Sequence, residues 1–260
     1  MRIPIKMIGV TTTIFWVFLV AFFITAVYSA KDIHFDFGQP QIGVNSSNRI
    51  LFSLPVTVVN NGFYDVGSFN VTTRVVDSTG SLFGRGSTFI PVIVKNSAVN
   101  VTHNMTISAN SLLRRNSSLL FNDGTVTLHA IVGLEAAEVI PIQASTNLSI
   151  PWGAPFYNFM LGTPTYSLYN STHLQVSVPL SFDNHAFFDV DGSVEARMFN
   201  SSDSQVGDGQ TTIYAPQMSS FNGYIDFYVP INAAATPTGH FDVYFQTTMF
   251  NYGPWVIPYG

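Results

Sequence analysis

The sequence contains no cysteine, which excludes a disulfide framework, a thiolate zinc site, an iron–sulfur cluster and a cysteine nucleophile. Charge is scarce as well. Only 10% of the 260 residues are Asp, Glu, Lys or Arg, against about a quarter in an ordinary soluble domain. Three lysines and a net charge of −5 leave no basic footprint for a nucleic acid. What fills the gap is apolar: 47% of residues are hydrophobic and 14% aromatic. That composition excludes a disordered chain. It points to a membrane protein, or to a surface made soluble by something other than charge, and the length fits one or two domains of about 150 residues.

The longest uncharged stretch runs from Met7 to Ala30, with a dense core from Ile14 to Ile24. As a helix rising about 1.5 Å per residue it reaches roughly 36 Å, enough to cross a hydrocarbon layer of about 30 Å. Arg2 and Lys6 precede it, and Lys31, Asp32 and Asp36 follow. The positive-inside bias then predicts a single-pass plasma-membrane protein with a cytoplasmic N-terminus and residues 31–260 outside. The alternative is a cleaved signal peptide, because Val27-Tyr28-Ser29-Ala30 ends in small residues. The apolar run exceeds the usual h-region of about 7–15 residues, which favours a retained signal anchor that contacts lipid through residues 7–30.

Asn-x-Ser/Thr sequons support the outside placement. There are eight, at Asn45, Asn70, Asn100, Asn104, Asn116, Asn147, Asn170 and Asn200. None has proline in the middle, and all lie beyond the apolar run, so all are candidate glycosylation sites. Attached sugars would also account for solubility at so low a charge. A sequon-rich exterior with no cysteine is unusual for a eukaryotic secreted protein and suits an archaeal cell surface.

The chain repeats itself at an offset of 124. Phe37-Gly38-Gln39-Pro40 matches Leu161-Gly162-Thr163-Pro164, and the alternating Ile50, Phe52, Leu54, Val56 and Val58 match Leu174, Val176, Val178, Leu180 and Phe182. Asn60-x-x-Phe63-Tyr64-Asp65-Val66 falls on Asn184-x-x-Phe187-Phe188-Asp189-Val190. After a one-residue deletion Arg74 meets Arg197, and Gly84-x-Gly86 meets Gly207-x-Gly209. Period-two alternation and turn clusters such as Asp77-Ser78-Thr79-Gly80 and Asp203-Ser204-Gln205-Val206-Gly207 predict antiparallel strands packed face to face. The expected architecture is mainly β. It comprises residues 1–30 as tip and transmembrane helix, then two immunoglobulin- or fibronectin III-like β-sandwiches in tandem, 31–155 and 156–260. An extra segment, roughly Ser108 to Asn122, interrupts the first repeat and carries a candidate short helix at Leu112-Leu113-Arg114-Arg115. The junction Ile150-Pro151-Trp152-Gly153-Ala154-Pro155 reads as short and stiff, so a semi-rigid rod is expected.

The segment from Val56 to Val66, leading to Asp77-Ser78-Thr79-Gly80, resembles the water-stress-and-hypersensitive-response domain of late embryogenesis abundant proteins. In that family an apolar strand of an immunoglobulin-like sandwich ends in Asn-Pro. Asn60 and Asn184 match its asparagine, while Asn61 and His185 replace the proline. The layout is similar to that of uncharacterised archaeal membrane proteins with two such modules behind one N-terminal helix. The resemblance implies a fold, a location and a stress-protective role, and no catalytic residue.

Catalytic motifs are lacking. The six histidines, at 34, 103, 129, 173, 185 and 240, show no metal-ligand spacing. His103 falls on the apolar face of its strand and reads as a satisfied core histidine. Gly84-Arg85-Gly86-Ser87 is neither a nucleophile elbow nor a phosphate loop, because no helix follows. Asp65 and Asp189 recur after an aromatic pair, and closing a turn is the expected role; binding a cation is the alternative. No catalytic residue, metal ligand or cofactor is expected. The sequence therefore predicts a structural or interaction protein of the cell surface. The alternatives are an extracytoplasmic ligand- or glycan-binding module serving a transporter, and a stress-protective protein.

One contrast selects a surface. Residues 31–155 hold ten aromatics and six sequons, whereas 156–260 hold twenty-one aromatics and two sequons. Val99, Val101, His103 and Met105 alternate inward and leave Asn100 and Asn104 facing solvent. At offset 124, Tyr224 and Tyr228 take the outward places, and Tyr244 points outward from the next strand. These three tyrosines are the candidate binding face for a protein or glycan partner.

Overall fold

The structure, a computed structural model, describes residues 5–76, 80–232 and 238–260, with side chains from Thr12 onward. Arg2, the side chain of Lys6, and Asp77–Thr79 of an expected turn lie outside the described residues. The uncharged run forms α1 (Ile5–Ala30). Over Thr12–Ala30 it is long and apolar enough to cross a membrane, and Phe15, Trp16, Val17, Phe18 and Ile24 are exposed.

Beyond the helix the fold is mainly antiparallel β. The first unit contains β1 (Ile33–Phe37), β2 (Gln41–Val44), β3 (Ile50–Asn60), β4 (Val66–Val76), β5 (Leu82–Ile93) and β6 (Ser97–Ile107). Two short helices follow, α2 (Ala109–Arg115) and α3 (Ser118–Phe121), and then β7 (Gly124–Ala136) and β8 (Ile140–Trp152). The second unit contains β9 (Tyr157–Leu161), β10 (Thr165–Leu168), β11 (His173–Asn184), β12 (Val190–Asn200), β13 (Gln205–Ala215), β14 (Ser219–Pro230), β15 (Gly239–Thr247) and β16 (Asn251–Tyr259). Gln205-Val206-Gly207, expected in a turn, instead open β13. Asn200 closes the preceding turn, its Oδ1 accepting from the Ser202 and Ser204 N–H groups at 3.0 Å each.

The two units share one pairing scheme. β1 and β2 share one edge of β3, whose other edge pairs β6; β5, β4, β7 and β8 form the second layer. In the second unit β9 and β10 flank β11, which pairs β14, and β13-β12-β15-β16 form the other sheet. The glycines mark where the layers meet. A Cβ at Gly84 would lie 2.6 Å from the Thr106 carbonyl oxygen, and one at Gly209 would lie 2.6 Å from that of Asp226. In the first unit the approach is close enough for Gly84–Gly86 to pair with Met105–Ile107, which joins both layers into one eight-stranded sheet.

The register corrects one expectation. Leu54 pairs His103, and its counterpart Val178 pairs Ile225. The offset is therefore 122 on β6 and β14, because a second residue is lost before them. Parity is preserved, so inward and outward faces stay as expected, but the partners change. Ile225 replaces His103, and Tyr224 and Tyr228 replace Thr102 and Thr106.

Packing runs through the junction. One buried cluster holds Val56, Val58, Phe69 and Ile93 in the half of the first unit nearest α1. The other begins at Ile50, Phe83 and Met105, takes in Leu112, Leu113 and Leu120 of the extra helices, and continues through Trp152 and Phe156 to Val178, Phe227 and Phe245. Ser108 caps α2, its Oγ accepting from the Ser111 N–H at 3.2 Å. Phe121 sits 4.1 Å from the Trp255 ring and 5.9 Å from Phe245. The Trp152 indole N–H donates to the Leu119 carbonyl at 2.9 Å, and the Phe156 N–H to that of Leu120 at 2.9 Å. The extra segment of the first unit is thus the packing layer between the two.

Candidate functional site

The repeated asparagines are structural. Asn60 and Asn184 are fully buried and use both ends of the amide. Asn60 Oδ1 accepts from Gly62 N–H, and its Nδ2 donates to the carbonyls of Tyr64 and Ile93. Asn184 repeats this with Ala186 N–H and the carbonyls of Phe188 and Ala215. Each fastens the turn after one strand to the end of a strand in the opposite layer. Asp65 and Asp189 act beside them, their Oδ1 atoms accepting from the backbone N–H of Lys95 at 2.8 Å and Gln217 at 3.0 Å.

These stapled turns are also docking knobs. In the first unit the turn meets α1. Phe63 N–H donates to Ser29 Oγ at 2.8 Å, Tyr64 Oη and Thr25 Oγ1 are hydrogen-bonded at 2.9 Å, and the Tyr64 ring lies 5.6 Å from Phe22. In the second unit the corresponding Phe187 and Phe188 pack on Trp152, at 5.8 and 6.2 Å. The His185 ring there pairs with Asp123 at 2.8 Å, and the His185 backbone N–H donates to the Ala154 carbonyl.

His103 is buried with both ring nitrogens occupied, by Thr73 Oγ1 and Thr88 Oγ1 at 2.9 Å each. Burial holds its imidazole below the usual value. Among the described residues no group of three or more His, Asp or Glu side chains is arranged to hold a metal ion.

The sequon asparagines divide by how the amide is used. Asn45, Asn170 and Asn200 close hairpin turns, with Oδ1 accepting from backbone N–H groups. Because a backbone N–H requires an acceptor, the amide nitrogen, where a glycan attaches, points away. Asn100 and Asn104 are exposed on β6, and their Oδ1 atoms accept from Thr57 and Ser53 hydroxyls at 2.7 and 2.8 Å. Asn116 Oδ1 accepts from Ser118 Oγ, and Asn147 Oδ1 meets His129 Nδ1. Asn70 differs. Its Nδ2 donates to the Ser68 carbonyl at 3.0 Å, and its amide packs beside Gly133 on β7.

Tyr224 and Tyr228 share the outer face of β14 and are 64% and 49% exposed. Tyr228 meets Tyr169 at 4.5 Å between ring centroids. Between the two β14 tyrosines, Asp226 binds Ser177 Oγ, the counterpart of the Asn104–Ser53 pair. Tyr244 does not join them. It lies on β15 in the other sheet, half-buried, with the Arg197 guanidinium 4.9 Å from its ring. The alternation that turns Tyr244 outward does not say which of two outer faces it reaches. Sequence reasoning also missed a cleft of about 670 Å³ between the Leu161–Tyr166 segment and the end of β16, lined by Tyr166, Phe241 and Tyr259. Burial pushes the Tyr259 hydroxyl up, and it donates to the Phe199 carbonyl at 2.8 Å.

No protein-family model matches the chain, and no curated protein matches it. Among solved structures it is similar to the putative ApaA protein from Bordetella pertussis, with 10% identity and a TM-score of 0.31 over 48% of this chain and 94% of that one. Red sea bream transglutaminase is matched at 15% identity and a TM-score of 0.31, over 88% of this chain and 31% of that one. The secreted serine protease VesC from Vibrio cholerae is matched at 12% identity and a TM-score of 0.26, over 69% and 43%. Likenesses this weak carry no argument about family or activity.

Proposed function

We propose that this chain is a single-pass, N-glycosylated cell-surface protein without catalytic activity. Its two fibronectin III- or immunoglobulin-like sandwiches stand outside the plasma membrane, and the second engages a protein or glycan partner through Tyr224 and Tyr228. One observation carries the reading. α1 exposes apolar side chains along its length, yet its last turn is built into the first unit, with Ala26 and Ser29 buried and Ser29 Oγ accepting from the Phe63 N–H. Removal of this helix by a signal peptidase would strip that contact away, which favours a retained anchor. The outward amide nitrogens of Asn45, Asn170 and Asn200, the exposed Asn100 and Asn104, and the two exposed tyrosines support the rest. The test uses the full chain. The double substitution Tyr224→Ser and Tyr228→Ser should abolish capture of the crosslinked membrane partner while the melt is unchanged. A melt lowered by tens of degrees would make the tyrosines part of the core and remove the site.

The cleft lined by Tyr166, Phe241 and Tyr259 favours one second reading, a ligand-binding module serving a transporter. A soluble oligosaccharide that raises the melting temperature, and loses that effect in Tyr166→Ala, would support it over a protein partner.

A further inference from the structure

The end of the first unit nearest α1 presents three turns side by side. They are the turn after β3 with Phe63, the turn after β5 with Val94, and the turn after β7 with Val139. Phe63, Tyr64, Lys95 and Glu138 line a shallow hollow between them, and the Lys95 N–H, donating to Asp65 Oδ1, ties the first two. Each turn leaves one apolar side chain in the open: Phe63 is 59% exposed, Val94 54% and Val139 61%. Three exposed apolar tips converging on one end of a domain call for a covering partner.

The neighbouring helix identifies that partner. Tyr64 reaches back along α1 to Thr25 and Phe22, and Phe22 lies about 12 Å along the axis before Ala30. The Tyr28 ring stacks on Phe63 at 6.4 Å, and Lys31 Nζ sits 3.7 Å from the centre of the Tyr28 ring. A helix of 26 residues extends about 39 Å, some 9 Å beyond a hydrocarbon core of about 30 Å. Counted from Met7, where the uncharged run begins, a core of about 30 Å takes about 20 residues and ends near Ala26, so the last turn and the Phe63–Tyr64 turn fastened to it fall at the headgroup level, where aromatic and lysine side chains are favoured.

We propose that the Phe63, Val94 and Val139 tips rest in the headgroup region of the bilayer that α1 crosses, so that the first unit sits directly on the membrane. The inference rests on the anchor reading. Lys31 and Lys95 are offset at this end by Asp32, Asp65 and Glu138, so the contact is apolar and aromatic and does not depend on anionic lipid.

The cysteine-free sequence makes the test direct. Full-length protein carrying one substitution, Phe63→Cys, Val94→Cys, Val139→Cys or Tyr224→Cys, is spin-labelled and reconstituted in phosphatidylcholine vesicles. Flotation and the ratio of oxygen to nickel-chelate collisions are then measured. The expected result is co-flotation of all four, with the ratio severalfold higher at 63, 94 and 139 than at 224. Co-flotation with all four labels equally open to the nickel chelate would overturn the resting tip and leave the anchor standing. Failure to float would overturn the anchor and, with it, this inference. Because the three tips lie on separate turns, a label that disturbs one leaves two readings.

Discussion

Thr102 and Thr106 complete the sequons of Asn100 and Asn104 on the outer face of β6; on β14 the same two places hold Tyr224 and Tyr228. The Ser53–Asn104 hydrogen bond becomes a Ser177–Asp226 pair, so the acceptor amide is replaced by a carboxylate that cannot carry an N-glycan. The second unit thus presents exposed aromatic rings at the places of the two threonines, and Asn222 and Asp226, neither in a sequon, at the places of the two sequon asparagines. Inside, the difference runs the other way. The first unit buries His103 between two threonines, and the second fills that position with Ile225. What stays constant is the frame: the stapling asparagine, the turn-capping aspartate and the close glycines. The repeated fold keeps the residues that satisfy buried backbone groups and varies those on the exposed outer face.

The largest effect tests whether the two units stand or fall together. Phe156 is fully buried at the junction and packs on Phe182 and Phe245 at 4.8 and 4.4 Å. Phe156→Ala should cost about 3–5 kcal/mol in chemical denaturation and shift one shared transition. A first unit that melts unchanged would mean that the continuous core does not couple them.

The next substitution probes equivalence. Asn60→Ala strands two carbonyls and one N–H, and Asn184→Ala three carbonyls and one N–H, so each should destabilise by about 2–3 kcal/mol. Clearly unequal losses would break the claim that both asparagines do the same structural work.

A pH series tests the exchange of His103 for Ile225. Burial depresses the His103 pKa, so as pH falls the unfolded chain takes up the proton before the folded one does. Stability from this residue is fully present above the ordinary imidazole value of about 6.5 and is lost below it. Melts at pH 7.5 and 5.5 should report a decline that His103→Gln diminishes. An unaltered decline in that variant would remove His103 as its cause.

The smallest effect carries no stability change. Glycopeptide mass spectrometry of protein from its native membrane should find Asn70 unmodified while Asn100 and Asn104 carry sugar. An occupied Asn70 would mean that modification precedes folding of β4.

Much of this was legible in the sequence, and what was missed has identifiable causes. The apolar run, the strand alternation and the recurrence of Asn60 and Asn184 are local patterns, and local patterns survive in one dimension. The recurrence of the asparagines was visible, but not their role, since their carbonyl partners at Ile93 and Ala215 lie about 30 residues away. Offset 124 does not hold on β14 because two residues are lost before it, and a shift of two leaves the inward–outward alternation unchanged and so invisible to a period-two pattern. Tyr244 reads as a neighbour of Tyr224 because period two reports a face and not a sheet. The extra segment between Ser108 and Asn122 announced a short helix, but nothing in it announced that Phe121 would pack on Trp255, more than a hundred residues on.

The central claim is that α1 stays attached and holds both units outside the membrane. Protease added to intact cells, followed by detection of tags at each terminus, tests it most directly. The account expects the C-terminal tag to be lost while a fragment with the N-terminal tag and α1 stays protected in the membrane. Residues 31–260 released as a soluble product during growth, with no α1-containing protein in the membrane, would contradict it.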